Sequence, residues 1–194
     1  MMYRTILLFG SPGSGKGTQG KILGSIPGFF HCACGDVFRN LRIGDPLGKV
    51  FVEYSSRGLL VPDQPTIDLW AKHIQSCTIG GQFQADRDTL VLDGIPRNPN
   101  QARILKDTLD VRAVLYLTCH DPQAMIERLQ RRALHENRLD DVNLDVIKKR
   151  LDTYEQETRP VLEYYGPQLI HKIDAFKSPL DVLRDILDII VKVA

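Results

Sequence analysis

Near its start the chain runs Tyr3-Arg4-Thr5-Ile6-Leu7-Leu8-Phe9-Gly10-Ser11-Pro12-Gly13-Ser14-Gly15-Lys16-Gly17-Thr18-Gln19. Tyr3 to Phe9 is short, apolar and stopped by Gly10, as expected of a strand buried on both faces. Gly10 to Lys16 has the spacing Gly-x-x-x-x-Gly-Lys and leads into Lys16–Leu23, which can be helical. In that context the glycines let consecutive backbone N–H groups surround a phosphate, and the helix adds its positive end. Lys16 brings a mobile point charge to the outer phosphates. The Ser or Thr that usually follows this Lys and touches Mg2+ is Gly17 here, with Thr18 one residue later. The metal is therefore expected to be held less directly, through phosphates and water.

Further short apolar runs occur at Phe29–Ala33, Leu90–Leu92, Val111–Thr118 and Leu169–Ile173, with helical patterns between them. Asn98-Pro99, Asp121-Pro122 and Ser178-Pro179 each place a capping residue before a Pro at the first helical position. Alternating strands and helices predict an α/β fold of the P-loop NTPase type. A parallel five-stranded sheet would lie in a three-layer α/β/α arrangement.

Two stretches break the alternation and read as helical or loop insertions on a single domain spanning 1–194. Between Cys34 and Ile79 the helical patterns Val37–Ile43, Pro46–Arg57 and Pro65–Cys77 follow one another without a strand. Between Arg131 and Asp141 a short polar loop joins two helices. After Asn143, the residues Leu144, Ile147, Leu151, Tyr154, Thr158, Val161 and Tyr165 make one helical stripe. Pro160 should bend that helix and Gly166 should end it.

Composition narrows the function. With 43% hydrophobic residues the chain of 194 can bury a sizeable core, which excludes a disordered protein. The balance of 25 Lys and Arg against 24 Asp and Glu gives no reason to expect nucleic acid as a partner. No apolar run is long enough to span a bilayer, so neither a membrane nor export is expected, and the predicted location is cytoplasmic. Cys32, Cys34, Cys77 and Cys119 lack paired C-x₂-C spacing, so neither a structural zinc nor a disulfide framework is expected. Cys32 and Cys34 would face the same way on a strand, a conceivable redox pair.

Asp93 ends an apolar run where a metal-directed carboxylate belongs in a doubly wound sheet. Gly94 follows it, where a hydrolytic ATPase usually has a second acidic residue to activate water. Transfer to another acceptor is favoured over hydrolysis.

Gly10 to Gln19 resembles the phosphate loop of adenylate kinases, and four further segments agree in the right order. Gly35-Asp36-Val37-Phe38-Arg39 resembles the family's Gly-Asp-Leu-Leu-Arg, and Gly58 to Asp63 resembles the rim of its monophosphate site. Leu92 to Arg97 with Gln101 resembles Asp-Gly-Phe-Pro-Arg followed by a base-reading Gln. Arg128, Arg132, Arg138-Leu139-Asp140-Asp141 and Arg150 match the arginines around the family's lid.

The resemblance implies transfer of the terminal phosphoryl group of ATP, as its Mg2+ complex, to AMP. Gly13, Ser14, Gly15, Lys16, Gly17, Thr18, Arg128 and Arg132 would bind ATP. Cys34, Gly35, Arg39, Leu60, Val61, Gly94, Arg97, Gln101, Arg138 and Arg150 would bind AMP. Lys16, Arg97, Arg132, Arg138 and Arg150 would carry catalysis, and Asp36 and Asp93 would reach Mg2+ through water only. Residues 33–63 would form the monophosphate insertion and 131–141 a short lid, and the protein would be a monomer.

The acceptor signals conflict. Cys34 stands where adenylate kinases have a Thr that contacts the AMP base, and Asn98 fits the uridylate/cytidylate branch, whereas Gln101 fits AMP. AMP is the first reading, another nucleoside monophosphate such as UMP or CMP the alternative. A non-catalytic nucleotide-binding switch is the remote one.

Overall fold

The computed structural model describes residues 2–42, 44–136 and 141–193, so Ile43, Arg138 and positions 137–140 of the expected lid lie outside the described residues. Among the described residues five strands form one sheet: β1 (Tyr3–Gly10), β2 (Phe29–Ala33), β3 (Thr89–Asp93), β4 (Leu109–Thr118) and β5 (Ile170–Asp174). Their order is β2-β3-β1-β4-β5 and every pairing is parallel, in agreement with the sequence.

The strands are apolar throughout because both faces are covered. In β1, Ile6 and Leu8 point to one side, where they pack with Leu23 of α1 (Lys16–Leu23) and with Val182, Ile186 and Ile190 of α9 (Pro179–Val193). Leu7 and Phe9 point to the other. There they join Trp70 and Ile74 of α4 (Asp63–Ile79), Ala102 of α5 (Pro99–Ile104) and Val161 of α8 (Val161–Tyr165). Alternate residues of one strand thus feed two cores, which makes three layers.

The expected caps form. Asn98 Oδ1 accepts from the Gln101 N–H at 2.8 Å, and Asp121 Oδ1 accepts from the N–H of Gln123 at 2.9 Å. Ser178 Oγ accepts from the Asp181 N–H at 3.2 Å and donates to the Asp181 carboxylate.

Three local expectations are corrected. The helix expected over Val37–Ile43 is α2 (Cys34–Arg39). It starts at the end of β2, with Asp36 in its first turn paired to Arg39. Cys34 is therefore helical and does not share a strand with Cys32. Residues 131–136, expected in a loop, are the last turns of α6 (Pro122–Glu136), since no Gly or Pro interrupts them. The long stripe is divided earlier than Pro160. After α7 (Leu144–Thr153) comes a π-helical turn, Tyr154–Thr158, closed by the Arg159 N–H on the Tyr154 carbonyl at 2.8 Å. Pro160 has no N–H to continue the ordinary ladder, and the chain widens one turn ahead of it. Gly166 ends α8 at a φ of +75°, as expected.

Candidate active site

The carboxyl ends of β2, β3 and β1 finish together, with Ala33 paired to Asp93 and Leu8 paired to Asp93. The loop from Gly10 to Gly15 leaves β1 there, at the crevice where parallel α/β sheets take their ligands. A cavity of about 760 Å³ opens at this edge, bounded by the loop, α2, the 58–61 rim, the 93–97 turn, α6 and α7.

Most of the sequence-predicted residues line it: Gly13, Gly15, Lys16, Gly17, Thr18, Gly35, Asp36, Arg39, Leu60, Val61, Asp93, Gly94, Arg97, Arg128, Arg132 and Arg150. Lys16 Nζ donates to the carbonyls of Gly10 at 2.6 Å and Ser11 at 3.0 Å. Burial lowers its pKa to about 8. Asp93 opposes the shift, and Arg132, Arg97 and Arg150 add to it. Four cations thus converge on one small volume, an arrangement suited to a polyanionic ligand.

Local structure aims each arginine. Gly94 stands at a φ of +81° and lets Arg97 fold back, with Nε donating to the Gly94 carbonyl at 2.7 Å. A side chain on Gly94 would bring its Cβ to 3.1 Å from Arg97 Nη2. Arg39 Nη2 lies 2.5 Å from Asp36 Oδ1. Arg128 Nη1 donates to the Ala175 carbonyl at 2.9 Å, and its guanidinium lies 5.3 Å from the centre of the Phe176 ring.

Asp141, mentioned in the sequence only as part of a matching run, is fully buried. Arg132 donates through Nε at 2.8 Å and Nη2 at 2.5 Å to Asp141 Oδ2, and Arg150 Nη1 donates to Oδ1. One carboxylate therefore orients two arginines from different helices. Thr153 Oγ1 donates to the Gly58 carbonyl at 3.0 Å, which ties α7 to the 58–61 rim. Thr153 and Tyr154 also line the cavity. The helical stripe expected from the sequence includes Tyr154 and gives Thr153 no role; Thr153 ends α7 and Tyr154 opens the widened turn.

Among the described residues, three predicted ones are not on the cavity wall. Ser14 is buried beneath the loop, its Oγ where a Cβ on Gly10 would come within 2.7 Å. Cys34 is buried in the core at the start of α2, and burial pushes its thiol up to about 11. Burial likewise raises the pKa of Cys32, so both stay protonated at neutral pH and do not form a reactive thiolate pair. Gln101 is only 1% exposed, with Oε1 accepting from the Arg97 N–H at 2.7 Å and Nε2 donating to Asp63 at 2.8 Å. Its amide supports Arg97 and does not reach into the cavity.

The donor set fits a hydrated Mg2+. Asp36 and Asp93 bring carboxylates to the cavity wall, and Asp93 Oδ2 lies 4.0 Å from where a Cβ on Gly17 would stand. Hard oxygens at the end of a phosphate loop suit an ion shared with phosphates and water.

A phosphate loop facing several arginines, with Gly94 after the strand-end carboxylate, defines a phosphotransferase of the P-loop class. The family model described as adenylate kinase matches residues 8–170, and the chain belongs to the adenylate kinase family. An adenylate kinase of Parabacteroides distasonis is 36% identical over 166 residues, covering 82% of this chain and 83% of that protein. One from Cyanothece sp. is 35% identical over 192 residues, 95% and 94% of the two chains. A UMP-CMP kinase of Prunus armeniaca is 33% identical over 172 residues, 87% of this chain and 69% of its own length. The family's function is phosphoryl transfer between ATP and AMP.

Proposed function

We propose that this chain transfers the terminal phosphoryl group of ATP to AMP, reversibly and with Mg2+, giving two ADP. The carrying observation is the convergence of Lys16, Arg97, Arg132 and Arg150 on one cavity. Lys16 and the loop amides hold the donor phosphates, with Arg128 towards its base. Arg39 and Arg97 hold the acceptor beside Leu60 and Val61. Arg132 and Arg150 lie between the two, oriented by Asp141.

The acceptor atom is a phosphate oxygen, largely ionised near neutral pH because the second pKa of a phosphomonoester is about 6. The protein therefore has no proton to remove. Its task is to hold two polyanions in line and balance the charge that spreads over the transferring group. Arginine suits this because its planar fork grips two phosphate oxygens and stays charged. Mg2+, when bound, would neutralise the donor phosphates and be oriented by Asp36 and Asp93 through water. In this reading residues 33–63 serve the acceptor and 131–141 cover the phosphates, so that water is excluded from the transferring group.

Among the described residues no helix is long and apolar enough to cross a membrane. We read the protein as a cytoplasmic monomer of nucleotide biosynthesis. A coupled assay offering AMP, CMP, UMP and GMP with ATP tests the acceptor. AMP is expected to be turned over fastest, and faster turnover of CMP or UMP would support the pyrimidine reading instead. That second reading has one observation in its favour: Gln101, the purine signal, faces Arg97 and Asp63 and not the cavity.

Lys16 also predicts a pH dependence. Before nucleotide binds, its charge is lost as pH rises through about 8. The kcat/KM for ATP should then fall by about tenfold per pH unit above that value. Bound phosphates favour the ammonium form, so kcat should stay flat to higher pH. Initial rates between pH 6 and 10 at low and saturating ATP check this.

A further inference from the structure

Asp63 opens α4 directly after the Leu60-Val61-Pro62 rim. Its carboxylate accepts three amide hydrogen bonds from the start of α5 and its cap. Asn98 Nδ2 and Gln101 Nε2 donate to Oδ1 at 2.7 and 2.8 Å, and Asn100 Nδ2 donates to Oδ2 at 2.7 Å. Gln101 carries the connection onward, since its Oε1 accepts from the Arg97 N–H at 2.7 Å. Burial alone would raise the Asp63 pKa, but the three amide donors outweigh it and hold the carboxyl below its usual value.

The two acceptor signals of the sequence, Asn98 and Gln101, therefore meet on one carboxylate. That carboxylate follows the Leu60-Val61-Pro62 rim, whose Leu60 and Val61 line the cavity. The chain of contacts from Val61 through Asp63 and Gln101 to Arg97 sets how far the rim stands from the arginine. None of these hydrogen bonds involves Lys16, whose own go to Gly10 and Ser11 of its loop.

We propose that Asp63 is a positioning residue for the acceptor nucleotide, holding Arg97 and the Leu60-Val61 rim in register through Asn98, Asn100 and Gln101. The proposal rests on the reading that the Arg97 side of the cavity takes the acceptor. An Asp63→Asn change leaves one oxygen for three donors and adds an N–H pair facing them. The loss should be felt in acceptor binding and spare the donor site.

The test is steady-state kinetics of the full chain, with the acceptor being whichever monophosphate the unmodified chain turns over fastest. Asp63→Asn should raise KM for the acceptor by about tenfold, with KM for ATP and kcat within about threefold of the unmodified values. Asn100→Ala removes one exposed donor with little risk to folding, and should raise the acceptor KM by about threefold with no change for ATP. An unchanged acceptor KM in the Asn100 variant, or an ATP KM that rises in parallel with it, overturns the proposal. A preference for CMP or UMP shows in the unmodified chain alone, so failure of the AMP reading is distinguished from failure of this one.

Discussion

Replacing Lys16 with methionine is expected to lower kcat by about 10²–10³, the loss typical of one preorganised donor aimed at developing charge. The ammonium is held by the Gly10 and Ser11 carbonyls at the mouth of the phosphate loop. Methionine keeps the stem and removes the charge, leaving the transferring phosphoryl group with arginines on one side only. A second readout separates lost chemistry from a lost fold. The folded pKa of Lys16, about 8, lies below its ordinary 10.5. Between those values the unfolded chain binds more protons, so stability rises with pH across the window. Below pH 8 the protein bears the full cost of a buried cation, and methionine removes it. Thermal unfolding at pH 7 should accordingly show Lys16→Met at least as stable as the unmodified chain, with the difference shrinking towards pH 10.5. An inactive variant that also unfolds early would contradict this account.

Asp141→Ala is expected to destabilise the fold by about 3 kcal/mol, the low end for a broken buried pair because Arg132 and Arg150 keep some contact with water. In a domain of this size that corresponds to a fall in Tm of about 6–12 °C. Its kinetic effect should exceed that of removing either arginine's charge singly, since one carboxylate orients both guanidiniums. Asp141→Asn separates the two effects. It keeps the shape, so most of the stability should return, while the loss of charge-assisted bonds leaves kcat about tenfold down. Calorimetry with single-turnover rates distinguishes these outcomes. A kcat at the unmodified level in both variants would show that Arg132 and Arg150 need no such anchor.

Both predictions concern residues whose roles sit at different levels of legibility. Lys16 is readable from spacing, because a loop of glycines between a buried strand and a helix has few uses besides phosphate binding. The strands were readable for a related reason: double-sided burial leaves unbroken apolar runs, and Gly or Asp stops them at the carboxyl end. The end of α6 was not, because Arg131 to Glu136 are polar enough for a loop and helical enough for a helix. Asp141 was not either. A carboxylate in a polar stretch looks like solvated charge until two arginines from separate helices fold onto it.

The sequence by itself determined the parallel sheet, the phosphate loop, the near-neutral surface and most of the cavity lining. These depend on local periodicity, turn chemistry and residue type, which the chain carries in consecutive positions. Tertiary structure alone decided the partners of Asp63, Gln101 and Asp141 and the burial of Cys34. The amide partners of Asp63 lie 35 to 38 residues along the chain and the arginines of Asp141 lie nine residues away on two different helices, and neither spacing has a periodic signature. Burial moves a thiol's pKa only once a core has closed around it. The overall charge of +1 gives no whole-chain sign of a polyanionic ligand. Folding gathers Lys16, Arg97, Arg132 and Arg150 onto one cavity, because the crossovers of a parallel sheet bring the segments that follow its strands to the same carboxyl edge.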